Sequence, residues 1–207
     1  MKLTAIPTGP FQEICYIVWS EIRQALVFDP GHDEELILQA LDEHKLEVAA
    51  YVCTHGHADH ISALAAMHAA HPAPIAMHSS DWKWAFSSLN QIAPHYSVPE
   101  KPDAESYLPL ENTKDWHLGN LSFQCIETPG HTPGSCCLLF PESHILIAGD
   151  TLFKGSCGRT DLPGGNPRHL KESLKKLKQL PDEVRVFPGH GPDTTIGIER
   201  TTNVYMQ

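Results

Sequence analysis

Residues 54–60 read Thr-His-Gly-His-Ala-Asp-His. Three histidines and an aspartate within six positions offer imidazole nitrogens and a carboxylate, ligands that suit zinc, iron or manganese and argue against a thiolate structural zinc site. Three later segments, Thr128-Pro129-Gly130-His131, Ala148-Gly149-Asp150-Thr151 and Gly189-His190, each add one such ligand beside a glycine, which lets the backbone approach a centre closely. In extended chain His55 and His57 project to one side, whereas Asp59 and His60 in a first helical turn point in different directions. Two metals fit that divergence better than one. An isolated His68, His71 or His95 is more simply a surface or core residue, but this cluster has no amphipathic purpose of its own.

The elements that must position these residues follow from apolar patterning. Two strand-like runs, 14–19 and 25–28, form a hairpin closed by Asp29-Pro30-Gly31. A helix is expected over about 33–44, with Asp33 as N-cap and Leu36, Ile37, Ala40 and Leu41 on one face. A buried strand, 48–53, runs into the histidine loop and then an Ala-rich helix with Ile61, Leu64, Ala65 and Met67, so the cluster lies at a strand's carboxyl end. The stretch 72–116 is irregular, with a short strand at 75–77 and a helical segment around 82–89. Strands return at 121–126, 135–140 and 145–148, then a final helix over about 167–179 and a last strand at 184–187. Two successive strand-rich halves without internal repeats predict one α/β domain, residues 1–207, with helices outside two sheets.

Composition narrows the function. The chain has 207 residues, 41% hydrophobic and 19% charged. Roughly 70% of the unfolded surface is buried in a chain of this size, so a metal is functional rather than a staple for the core. Fifteen Lys and Arg against 25 Asp and Glu leave a net charge of −10, with no basic stripe for a nucleic-acid backbone. No signal peptide and no run of 18 apolar residues is seen, so a cytoplasmic protein without a membrane partner is expected. The six cysteines lack C-x-x-C spacing and sit mostly in apolar runs, which fits reduced, buried thiols. Fourteen histidines are the outlying count.

With T-H-G-H-A-D-H at 54–60, T-P-G-H-T-P-G at 128–134, G-D-T at 149–151, G-R-T-D at 158–161 and P-G-H-G-P at 188–192, the chain resembles the metallo-β-lactamase superfamily. Within it, the chain is similar to a short form of the glyoxalase II (hydroxyacylglutathione hydrolase) group. The resemblance implies a four-layer αββα sandwich with its site at one edge of the sheets. It implies that His55, His57 and His131 hold one metal and Asp59, His60 and His190 the other, with Asp150 bridging. Asp59 and Asp150 are the expected catalytic carboxylates. Zinc is the first expectation for both ions, with iron or manganese as alternatives. Two such ions with Asp59, Asp150 and one hydroxide sum to a charge of about +1, which favours an anionic substrate. No general acid for a poor leaving group is visible, and a thiolate, pKa about 8.5, departs without one, so a thioester is the best chemical match.

Around the site, Asp29 resembles the D-P-G turn aspartate that accepts a hydrogen bond from a ligand histidine. Arg159 either fixes its loop through Asp161 or meets a substrate carboxylate; Lys154 and Cys157 are placed near the same loop without a decided role. Full-length glyoxalase II enzymes carry a C-terminal helical region that grips glutathione, and 17 residues follow His190 here. The grip is therefore expected from 80–115, from 154–168, or from another subunit. The main alternative is a persulfide dioxygenase of the same superfamily, which shares H-A-D-H-I and G-R-T-D and would use one iron on His55, His131 and Asp150. A β-lactamase would usually be exported, a di-iron redox scaffold would carry a carboxylate at position 57, and a non-catalytic binding protein would have lost ligands.

Overall fold

The computed structural model describes residues 1–111 and 115–207. One mixed sheet has six strands in chain order: β1 (Lys2–Thr8), β2 (Glu13–Trp19), β3 (Gln24–Phe28), β4 (Glu47–Val52), β5 (Ile75–Met77) and β6 (Tyr107–Pro109). The β1–β2–β3 pairs are antiparallel, and β3 through β6 run parallel. Five helices lie among or after these strands: α1 (Glu34–His44), α2 (Ala58–Ile61), α3 (Leu64–Ala70), α4 (Ser79–Trp82) and, much later, α5 (Pro167–Leu177).

The second sheet contains β7 (Trp116–Leu118), β8 (Leu121–Glu127), β9 (Cys136–Phe140) and β10 (Ile145–Gly149). A hairpin of β11 (Leu152–Phe153) and β12 (Ser156–Cys157) follows, before β13 (Arg185–Pro188) and β14 (Thr194–Thr195) complete the sheet in the order β14-β13-β10-β9-β8-β7. A sixth helix, α6 (Ile196–Thr202), closes the chain's last turn of sheet.

The period-2 alternation of strands divides each one between two layers. On β2, Cys15, Ile17 and Trp19 face Ile37 and Leu41 of α1 and Leu64 and Met67 of α3. The intervening Ile14, Tyr16 and Val18 face the other sheet, where they join Phe123, Leu138, Phe140 and Ile147. The outer face of that sheet, with Leu139, Leu146 and Ala148, packs on Leu170, Leu174 and Leu177 of α5 and Ile196 of α6. The result is the expected four-layer αββα sandwich.

Four local expectations are corrected. Asp33 occupies the N-cap position of α1, but its side chain makes no cap bond; it takes a left-handed conformation (φ 48°), and its carboxylate accepts the Gly9 N–H at 2.8 Å. The helix expected at 82–89 is α4 followed by turns and a short 3-10 segment, Ser88–Asn90, because the side chains of Ser87 and Asn90 take over the Trp84 and Ala85 carbonyls there. The edge strand β1 was not anticipated. Nor was α6, so the helix at 167–177 is not the final one.

Candidate metal centre

Strand direction explains why the ligands meet. In the first sheet β3, β4 and β5 are parallel, so Asp29, the 54–60 loop and the start of α4 emerge at one edge. In the second, β8 and β10 are each antiparallel to β9, and β13 is parallel to β10, so His131, Asp150 and His190 follow carboxyl ends that share an edge. The two edges touch: Cys136 N–H donates to the Thr54 carbonyl (2.8 Å), and Ile14 N–H to that of Gly189 (2.8 Å). Gly149, at φ +47°, permits the contact, because a Cβ there would stand 2.3 Å from Thr54 Oγ1.

Two groups of ligand atoms form within this junction, each with its atoms within 4.8 Å of one another: His55 with His57 and His131, and Asp59 with His60 and His190. Asp150 lies between them. Its Oδ2 is 3.5 Å from His131 Nε2 and 3.6 Å from His190 Nε2, while Oδ1 is 3.5 Å from His60 Nε2. A third group, Asp29 with His55 and His60, is geometrically close, but the Asp29 oxygens are already used. Oδ1 accepts the Thr54 N–H (2.7 Å); Oδ2 accepts the Thr54 hydroxyl (2.6 Å) and His60 Nδ1–H (3.1 Å).

The outer bonds also select the tautomers. His60 gives Nδ1–H to Asp29, His131 to the Arg159 carbonyl (2.8 Å), His190 to the Phe11 carbonyl (3.2 Å), and His55 to Thr54 Oγ1 (3.0 Å), whose own proton is directed at Asp29. Each of these four rings therefore keeps its Nε2 lone pair for the centre. His57 alone presents Nδ1, 2.8 Å from His131 Nε2.

Three buried polar atoms here, His55 Nε2, His60 Nε2 and Asp150 Oδ1, have no hydrogen-bond partner among the described residues. Orphaned acceptors of this kind are costly unless a cation takes them. Burial, reinforced by His60 and the other rings, holds His55 well below the ordinary histidine range; burial and His131 push His57 down to about 3. Both rings are thus neutral, as metal ligands must be. His60 behaves oppositely: burial pulls it down, but Asp150, Asp59 and Asp29 outweigh that and raise it. The all-nitrogen and oxygen donor set fits two divalent ions.

A cavity of about 560 Å³ opens over these ligands, lined also by Phe11, Ile92, Phe153, Ser156, Cys157, Arg159 and Leu162. Arg159 forms a two-bond pair with Asp161 (2.7 Å each), so the loop-fixing alternative describes its contact, while its position leaves it on the cavity wall. Lys154 stands apart from the cavity, at the exposed turn between β11 and β12. Of the stretch 80–115, residues 112–114 lie outside the described residues, and Ile92 reaches the cavity.

Sequence reading missed three buried groups. Asp81 accepts four hydrogen bonds from the two ligand loops and Trp84. Asn90 accepts the Ala58 N–H and donates to the Gly56 and Ala85 carbonyls. Glu13 pairs with Thr8, its carboxyl raised well above the usual range by burial. Lone polar residues in apolar or irregular text carry no spacing signal.

Residues 8–190 match the profile of the metallo-beta-lactamase superfamily. The chain belongs to this superfamily. Along its whole length it is 35% identical to the probable metallo-hydrolase YqgX of Bacillus subtilis and 31% identical to the hydroxyacylglutathione hydrolase GloC of Haemophilus influenzae, covering 98% of each. Among solved structures, the BLEG-1 B3 metallo-beta-lactamase aligns over 100% of both chains with a TM-score of 0.92 and 34% identity. TTHA1623 in a di-iron-bound form aligns over 98% of this chain and 99% of its own, with a TM-score of 0.86 and 36% identity. ETHE1 from Myxococcus xanthus aligns over 99% and 84%, with a TM-score of 0.79 and 28% identity. The superfamily assignment makes the chain a hydrolase-like metalloenzyme with a histidine-rich potential metal site.

Proposed function

We propose that the chain is a dinuclear metal-dependent thioester hydrolase that cleaves S-(2-hydroxyacyl)glutathione to glutathione and a 2-hydroxy acid. The observation that carries this reading is the convergence of seven side chains from both sheets, with buried Nε2 and carboxylate atoms left unpaired among them and five of the seven lining one cavity. His55, His57 and His131 would hold one divalent ion and Asp59, His60 and His190 the other, with Asp150 between them; such ions, zinc in the first instance, would supply water activation near neutral pH and Lewis-acid polarisation of the carbonyl. The chain's own residues do the rest. Asp29, Thr54 and the carbonyls of Phe11 and Arg159 fix ring orientation; Asp59 and Asp150 hold negative charge between the histidines.

The leaving group follows from the cavity wall. Among the described residues that line it, every carboxylate is a candidate ligand, Arg159 is paired with Asp161, and the Cys157 thiol is raised by burial. A thiolate needs no proton from them; an alkoxide or amide nitrogen does. The likeness to GloC supports the same substrate. A second reading, a persulfide dioxygenase with one iron on His55, His131 and Asp150, is favoured by the likeness to ETHE1; it leaves the Asp59, His60 and His190 group unused.

The test is a substrate panel at one pH with zinc as sole metal: S-lactoylglutathione, a simpler thioester, its oxygen ester and a β-lactam. Thiol release from the thioesters, undiminished without oxygen and far faster than ester cleavage, is the expected result. Oxygen uptake with glutathione persulfide, lost on iron removal, selects the dioxygenase. Efficient β-lactam opening with inert thioesters overturns the thioesterase reading.

A further inference from the structure

Asp81 lies on α4, just beyond the end of β5 and therefore at the same sheet edge as the metal ligands, yet it is too enclosed to meet a substrate: its exposure is 0%. Its four hydrogen-bond donors come from three short segments. Oδ2 accepts the Gly56 N–H (2.9 Å) and the Thr132 hydroxyl (2.6 Å). Oδ1 accepts the Gly134 N–H (2.7 Å) and Trp84 Nε1–H (3.2 Å). Gly56 separates His55 from His57, and Thr132 directly follows His131. One carboxylate thus joins the two loops that carry all three histidines of one ligand group.

The surroundings are shaped for this contact. A Cβ on Gly134 would come within 2.7 Å of Asp81 Cγ, and one on Gly56 within 3.1 Å of Asp81 Cβ. Trp84, held by the same carboxylate, sets its ring against His57 with centroids 5.6 Å apart. The other ligand group has different supports: His60 rests on Asp29 and His190 on the Phe11 carbonyl. Neither receives a bond from Asp81.

We infer that Asp81 is a positioning residue for one metal site only, the tether that keeps His55 and His57 in register with His131, so that the two metal sites of this centre are separately adjustable. Both oxygens must accept. Asn in its place turns an amide N–H either on the Gly134 and Trp84 N–H groups or on the Gly56 N–H and the Thr132 hydroxyl, which leaves buried donors facing each other. Loss of such outer support lowers metal affinity about 10–100-fold. The inference rests on the dinuclear reading above, and its test separates the two.

Full-length wild-type and Asp81→Asn protein are titrated with cobalt(II), following binding isotherms and the metal-shifted imidazole N–H proton resonances. Wild type is expected to take two equivalents. In Asp81→Asn one equivalent binds as in wild type and shifts the His60 and His190 signals, while the second weakens about 10–100-fold and carries those of His55 and His131. Thr132→Val, which removes one donor and leaves the carboxylate, shifts the same site by a smaller factor and decides the matter if Asp81→Asn loses its far-UV circular dichroism. Equal weakening of both sites, or of neither, overturns the tether. Wild-type protein that takes one equivalent overturns the dinuclear reading instead; the tether then stands or falls on whether Asp81→Asn weakens an ion signalled by His131 and spares one signalled by His190.

Discussion

The segment from Thr54 to His60 and the segment from Lys154 to Asp161 both border the same cavity, and they differ in how far they are enclosed. Every residue of the first is buried, and its backbone and side chains take bonds from Asp29, Asp81 and Asn90, three residues on three other elements. The second is held through its backbone, by the Gly155 N–H on Glu199, the Ser156 carbonyl on Asn203 and the Arg159 carbonyl on His131, while its side chains at the cavity are open; those of Arg159 and Asp161 are 62% and 68% exposed and bond each other. An exposed ion pair of this type contributes little to stability. The segment that carries candidate ligands is enclosed along its whole length, while the other presents exposed side chains, Arg159 among them on the cavity wall.

The largest effect that can break this contrast is Asp150→Ala. Asp150 stands within 3.6 Å of ring nitrogens from both groups, so its removal is expected to bring elemental analysis below one bound metal per chain and to abolish turnover. Retention of two equivalents would show that the groups do not share it.

Next in size is metal removal. An ion present at 100 times its dissociation constant stabilises the fold by about 2.7 kcal/mol. Chelation is therefore expected to lower Tm by roughly 5–10 °C, read by calorimetry at fixed free metal. A Tm independent of metal would mean that the buried segment is stable without its cations.

Asp29→Asn sharpens the comparison on the buried side. The amide cannot accept from the Thr54 N–H, the Thr54 hydroxyl and His60 together, and an affinity loss of about 10–100-fold is expected in a chelator-competition titration. The smallest effect belongs to the open side: Arg159→Ala should alter unfolding free energy by no more than about 0.5 kcal/mol. Its signature is a higher KM for a glutathione thioester at unchanged kcat. A large stability loss there would erase the distinction between the segments.

Legibility in the sequence follows the same division. His55, His57, Asp59 and His60 stand out because a metal demands donor types at close spacing, and strands β2, β3, β4, β8, β9 and β10 because runs such as Ile14–Trp19 are apolar throughout. Asp81 and Asn90 are illegible because each is a single polar residue whose loop partners lie far along the chain, 51 positions for Asp81 and Thr132, and Glu13 because a lone acid at the head of an apolar strand carries no spacing signal. Edge strand β1 is mostly part-exposed and carries Pro7, which dilutes alternation; α6 spans seven residues with a glycine and two threonines, too weak a helical pattern to declare itself. Asp33 has the residue type of an N-cap, but the Gly9 amide competes for its carboxylate.

The ligands come from both halves of the sandwich, His55 to His60 from one sheet and His131, Asp150 and His190 from the other. Neither ligand group is complete until the two sheets have docked, so a cation that needs every ligand of a group can be held only by the docked molecule. Interactions formed after the rate-limiting barrier slow unfolding and leave the folding rate nearly unchanged. The centre is in this sense a clasp across the interface between the sheets: an ion held by ligands from both would add to equilibrium stability by slowing separation of the halves.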